Sequence, residues 1–125
     1  MDHSFSTMRI LYLENHAIFA QQVSQKFLVE HSVTVVPSLS AARREFTTGA
    51  YDLVLSDYDL DDGKGDVFVQ ECRAASPYLP IVAVSSHDAG NAALVRAGAS
   101  AVCSKMEFQR IGQVIAALAN VSGST

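Results

Sequence analysis

Five of the chain's 13 acidic residues stand within ten positions of one another: Asp57, Asp59, Asp61, Asp62 and Asp66, in "LVLSDYDLDDGKGD". Carboxylates this close repel and raise one another's pKa unless a cation or water relieves them. Asp57 follows directly on the apolar run "YDLVLS", whereas the later acids sit in a turn with Gly63 and Gly65. A carboxylate can attack phosphorus to form an acyl phosphate when a cation neutralises the phosphoryl oxygens. Mg²⁺ suits that task, because it takes one or two carboxylates together with phosphate oxygens and keeps several waters. Glu14 and the amide oxygen of Asn15 are candidates to complete such a metal site. Lys105 could place a point charge on the phosphoryl group, and Ser85 a hydroxyl donor.

Taken singly, each of these residues has an ordinary structural role. Glu14 reads as a solvated loop acid, Ser85 as a strand-end hydroxyl, Lys105 as a surface lysine, and Asp61 and Asp62 as turn formers beside Gly63. What joins them is their place behind apolar segments. "RILYLE", "VTVVP", "YDLVLS", "PIVAVSS" and "SAVCSK" are Val-, Ile- and Leu-rich runs, too continuous for half-exposed strands, and they read as buried parallel strands. Helical patterns separate them: Ile18, Phe19, Val23 and Phe27; then Val67, Phe68 and Cys72; then Ile111, Val114, Ile115 and Leu118. Strand and helix alternate five times, which predicts a single α/β domain with an open, doubly wound parallel sheet. Ligands of such sheets bind at the carboxyl edge. The residues delivered there are Glu14 and Asn15, Asp57, Ser85 and Ser86, and Lys105.

Composition narrows the classes. A chain of 125 residues supports one ordinary core, and no apolar run approaches the ~20 residues of a membrane span. The polar start, Met1 to Thr7, lacks the apolar stretch of a secretory signal, which leaves a cytoplasmic protein as the expectation. Cys72 and Cys103 stand outside any C-x-x-C and read as two buried, reduced thiols. With a net charge of −4, no Trp and dispersed basic residues, direct nucleic-acid binding is not expected.

With "ILYLEN", "YDLVLSDYDLDDGKGDVF", "LPIVAVSS" and "AGASAVCSK" in this order, the sequence resembles the receiver domain of two-component response regulators, the fold of the single-domain chemotaxis regulators. The resemblance spans about Arg9 to Ala119. It implies a flavodoxin-like five-stranded sheet of order 2-1-3-4-5, a domain over residues 8–119, and flexible tails at 1–7 and 120–125. It implies that Asp57 is the phosphoacceptor, Ser85 the switch hydroxyl and Lys105 the site lysine. Glu14, Asn15, Asp57 and the backbone carbonyl of Asp59 would hold Mg²⁺. The implied partners are a histidine kinase or phosphotransfer protein and a downstream protein or output domain, reached through the face of the fourth helix, fifth strand and fifth helix. Beyond the phosphoryl chemistry on its own Asp, no enzyme activity is implied.

The chain departs from the family's pattern at named places. Asn15 replaces the second acid of the metal pair, which predicts weakened Mg²⁺ affinity. Val102 stands where an aromatic usually swings, and Met106 replaces a proline after the lysine. The segment between Ser85 and Gly98 is short, with Gly90 and Asn91 weakening its helix. Asp59 and His87 occupy the two places that border the path of attacking water. The alternative is therefore a degenerate receiver that binds a partner without phosphorylation. A calcium loop starting at Asp57 fails, with Asp62 where Gly is needed and Phe68 where the bidentate Glu is needed. A phosphohydrolase of the haloacid dehalogenase type shares the Asp57-x-Asp59 pattern but places it on its first strand, and is the remote alternative.

Overall fold

The computed structural model describes residues 7–123. Five parallel strands form the main sheet: β1 (Arg9–Leu13), β2 (Ser32–Val36), β3 (Leu53–Ser56), β6 (Ile81–Ala83) and β7 (Ala101–Val102). Two very short strands, β4 (Asp59–Leu60) and β5 (Gly63–Lys64), pair antiparallel as a separate hairpin. The sheet order is β2-β1-β3-β6-β7, which is the expected 2-1-3-4-5 once the hairpin is set aside. Helices α1 (Ala17–Phe27), α2 (Leu39–Thr48), α3 (Gly65–Ala75), α4 (Asp88–Ala97) and α5 (Ile111–Gly123) make the crossovers, and a 3₁₀ segment, Lys105–Arg110, leads into α5.

Alternation along β1 shows how the two faces are filled. Ile10 and Tyr12 enter one apolar cluster with Ala20 and Val23 of α1 and Ile111 and Ile115 of α5. Leu11 and Leu13 enter the other, with Leu39 of α2, Phe68, Val69 and Cys72 of α3 and Leu94 of α4. Both faces are covered, which is why these strands are apolar throughout rather than alternating. Ile18 and Val67, part of the apolar helical patterns in the sequence, are exposed; Ala20 turns into the core of α1 instead. The two thiols are buried and unbridged, in different clusters. Burial pushes the Cys72 thiol up to about 12, which keeps it protonated and inert.

The fourth helix, expected to be short, spans ten residues, as many as α2 and one fewer than α1 and α3. Helix α5 runs past residue 119 to Gly123, since Ala, Asn, Val and Ser continue a helix where Pro would stop it. The rest of the expected tails, residues 1–6 and 124–125, lies outside the described residues. Among the described residues no helix is long and apolar enough to cross a membrane.

Candidate functional site

Register brings the site together. Leu13 pairs with Ser56 and Ser56 with Ala83, and the ladder continues one residue further through Asp57 N–H to Leu13 C=O (3.0 Å) and Val84 N–H to Ser56 C=O (3.0 Å). Glu14 and Asp57 therefore leave adjacent strands side by side. Lys105 follows β7, its N–H reaching Ser85 C=O at 3.3 Å.

The Lys105 ammonium lies 2.8 Å from Glu14 Oε1 and 2.7 Å from Asp57 Oδ2. It also sits 5.5 Å from the centre of the Phe19 ring, an aromatic face that favours a cation. The remaining oxygens are held by backbone: Asp57 Oδ1 accepts from Tyr58 N–H (2.7 Å) and Glu14 Oε2 from His16 N–H (3.0 Å). Glu14 is wholly buried, and Asp57 nearly so. Burial raises the Glu14 pKa, and Asp57 adds to this, while Lys105 and the His16 N–H draw it part of the way back. Burial works against the Lys105 charge, yet its two carboxylates outweigh this and hold its pKa above the ordinary lysine value.

Glu14 Oε1 faces the Lys105 ammonium and has no other partner among the described residues. The donor set fits a magnesium-type ion: two carboxylates on neighbouring strand ends, with the half-buried Asn15 next to Glu14. Among the described residues no three His, Cys, Asp or Glu converge on such a point, in keeping with an amide at position 15.

Two glycines make this edge possible. A Cβ on Gly65 would lie 2.0 Å from the Asp57 carbonyl oxygen, so the start of α3 can pass behind Asp57 only without a side chain. A Cβ on Gly90 would lie 2.8 Å from Ser85 Oγ and 3.0 Å from Tyr58 Cβ. Ser85 is buried, and its hydroxyl oxygen accepts from His87 N–H at 3.1 Å, which leaves its proton free to donate elsewhere.

The other acids disperse. Asp59 is exposed and ion-paired with Lys64. Asp62 accepts from Leu39 N–H (2.6 Å) and Ser40 N–H (3.1 Å), capping α2. Asp66 lies in the first turn of α3. His87 is exposed at the start of α4, and Val102 and Met106 are exposed beyond the site. Asn91, read from sequence only as a helix-weakening residue, is buried and bonded to Ser85; a polar residue among the small apolar ones of α4 was the available signal.

Comparison with known proteins gives one consistent answer. The family model described as response regulator receiver domain matches residues 10–116. A search of curated protein sequences finds no significant match. Among solved structures, a CheY-like response regulator receiver domain protein from Methanospirillum hungatei is similar at 17% identity and TM-score 0.81, over 96% of this chain and 100% of that one. The response regulator protein TrrA from Thermotoga maritima, in complex with Mg(2+)-BeF, is similar at 19% identity and TM-score 0.79, over 88% and 97%. NtrX from Brucella abortus aligns at 20% identity and TM-score 0.83 over 94% of this chain but 28% of its own length. These likenesses show the shared fold; together with the family match over most of the sequence, they establish that this chain belongs to the response regulator receiver domain family.

Proposed function

We propose that this receiver domain accepts a phosphoryl group on Asp57 from a histidine kinase or phosphotransfer protein. The observation that carries the reading is the single ammonium of Lys105 held between two buried carboxylates at the carboxyl edge of the sheet. An Asp57 carboxylate oxygen attacks phosphorus, the bond to the donor's nitrogen breaks, and the electron pair leaves with the imidazole. Lys105 exchanges its contact with Asp57 Oδ2 for a phosphoryl oxygen, and the Ser85 hydroxyl donates to another. Mg²⁺, held by Glu14, Asn15, Asp57 and the Asp59 carbonyl, would supply positive charge to the phosphoryl oxygens. The domain needs no further catalytic group, and the reaction is a transfer onto the protein itself.

The signal leaves through the face of α4, β7 and α5 toward a downstream protein or output domain in the cytoplasm. Val102 cannot act as a swinging ring, so the loop Ser86 to Gly90 carries the change, at ~1–3 kcal/mol of coupling. A second reading, a receiver that binds a partner without phosphorylation, is favoured by the amide at Asn15 and the absence of a third acid at the site among the described residues. Intact mass after incubation with acetyl phosphate and Mg²⁺ separates the two. A gain of one phosphoryl group, lost in Asp57→Asn, is expected; an unchanged wild-type mass, or a gain that persists in Asp57→Asn, overturns the assignment.

A further inference from the structure

We infer that Asn91 is the positioning residue for the Ser85 hydroxyl, and that it fastens helix α4 to the phosphoacceptor site; the inference rests on Asp57 as phosphoacceptor. Its carboxamide spends both functions on one residue. Oδ1 accepts from Ser85 N–H at 2.9 Å, and Nδ2 donates to Ser85 C=O at 3.0 Å. Ser85 N–H can only donate and its carbonyl only accept, so the reversed amide would oppose like groups in a buried place.

This pair of bonds works as a strand partner where the sheet has ended. Regular β6 stops at Ala83; toward β3 its last bond is Val84 N–H to Ser56 C=O, while toward β7 Cys103 N–H to Ala83 C=O is followed by Lys105 N–H to Ser85 C=O, so it is the Ser85 N–H that has no strand partner. One residue later, Ser85 would have its peptide N–H unpaired in a dry setting. Asn91 fills that gap from the first turn of α4, while Lys105 N–H meets the Ser85 carbonyl at 3.3 Å. Gly90, its neighbour, lets the helix come close enough that a Cβ there would collide with Ser85 Oγ. One residue makes room for the hydroxyl, and the next holds the backbone that carries it.

Two consequences separate this from a generic loop staple. Ser85 is held beside the Asp57 and Lys105 strand ends before any ligand arrives, so its donor is preorganised. Any displacement of Ser85 toward a phosphoryl group must also move Asn91, and with it the first turn of α4. A chain lacking a swinging aromatic at Val102 thereby still has a rigid link from site to helix.

A double-mutant cycle tests this, reading beryllofluoride affinity in Mg²⁺ by fluorine NMR on wild type, Ser85→Ala, Asn91→Ala and the double variant. Asn91→Ala should weaken binding roughly tenfold, below the ~100-fold that a 1 Å misplacement can cost. The double variant should lose no more than Ser85→Ala alone, because a positioning residue has nothing left to position. Asn91→Ser, which keeps a polar group at the site, should fall in the same direction, and thermal midpoints verify folding. Wild-type affinity in folded Asn91→Ala, or losses that add in the double variant, overturns the inference while leaving Asp57 as acceptor. On the wild-type protein alone, beryllofluoride should shift the Asn91 side-chain NH₂ resonances together with the Ser85 amide; a Ser85 shift with Asn91 unmoved also overturns it. If wild type forms no beryllofluoride adduct at all, the phosphoacceptor reading falls first and takes this inference with it.

Discussion

The carboxylates of the sheet edge and those of the β4–β5 hairpin are neighbours in sequence and opposites in physics. Asp57 is buried beside Glu14, and both face the same ammonium. Asp59, two residues on, is exposed beside Lys64, and Asp62 spends its oxygens on the backbone of α2. An acid-rich stretch is thus not one site but several unrelated tasks. What sets the proposed phosphoacceptor apart is burial next to a cation, where a change of one charge has its largest effect.

The sharpest way to break that contrast is Lys105→Met. It leaves two buried carboxylates facing each other, and loss of one partner from a buried ion cluster costs about 3 kcal/mol or more. Urea denaturation should show a loss of this size, and added Mg²⁺ should restore part of it by binding the folded state. Unchanged stability would place Glu14 and Asp57 with the hairpin acids. Asn15→Asp should act next in size, tightening Mg²⁺ by about thirtyfold, the equivalent of ~2 kcal/mol for one carboxylate charge and a divalent ion at ~4 Å in water-like surroundings. A titration giving equal affinities would separate position 15 from the metal.

Asp62→Ala tests the hairpin side. Leu39 N–H, helped by Ser40 N–H, holds the Asp62 carboxyl below its ordinary value of 3.8. A depressed folded-state pKa contributes stability that is present above the unfolded value and lost as pH falls through the folded one. The wild-type Tm should therefore exceed that of Asp62→Ala at neutral pH, and the gap should narrow below pH 3.8. A gap independent of pH would deny the cap its charge. The smallest effect belongs to Asp59→Ala, which should leave both Tm and Mg²⁺ affinity unchanged, since exposed ion pairs contribute little and the proposed ligand is a backbone carbonyl. Weaker Mg²⁺ binding in this variant would bring the Asp59 side chain into the site.

Much of the site could be read without coordinates because parallel connectivity has one geometric outcome. If every strand runs the same way, every strand's last residue lies on one edge, so Glu14, Asp57, Ser85 and Lys105 are gathered by order alone. The apolar runs locate the ends of β1 and β3 to the residue, while Ser85 lies two positions past β6 and Lys105 three past β7. The sheet order came from the family resemblance and not from this reasoning.

Other features depend on distances between elements that no local pattern contains. Nothing in "DYDLDDGKGD" distinguishes Asp62, which reaches across to α2, from Asp59, which turns back to Lys64 in its own hairpin. Ile18 belongs to an apolar helical pattern and is nonetheless exposed, because the core boundary on α1 is drawn by where β1 and α5 lie. Gly90 and Asn91 carry helix propensities that count against α4, and only the polarity of Asn91 among small apolar neighbours hints at more. Only the docked helix shows Gly90 clearing a path for Ser85 Oγ and Asn91 pairing with the Ser85 backbone. Sequence by itself determined which chemical groups arrive at the edge, since covalent order and strand direction decide that; tertiary packing decided which of them are dry, charged and held, since burial and contact are properties of the assembled molecule.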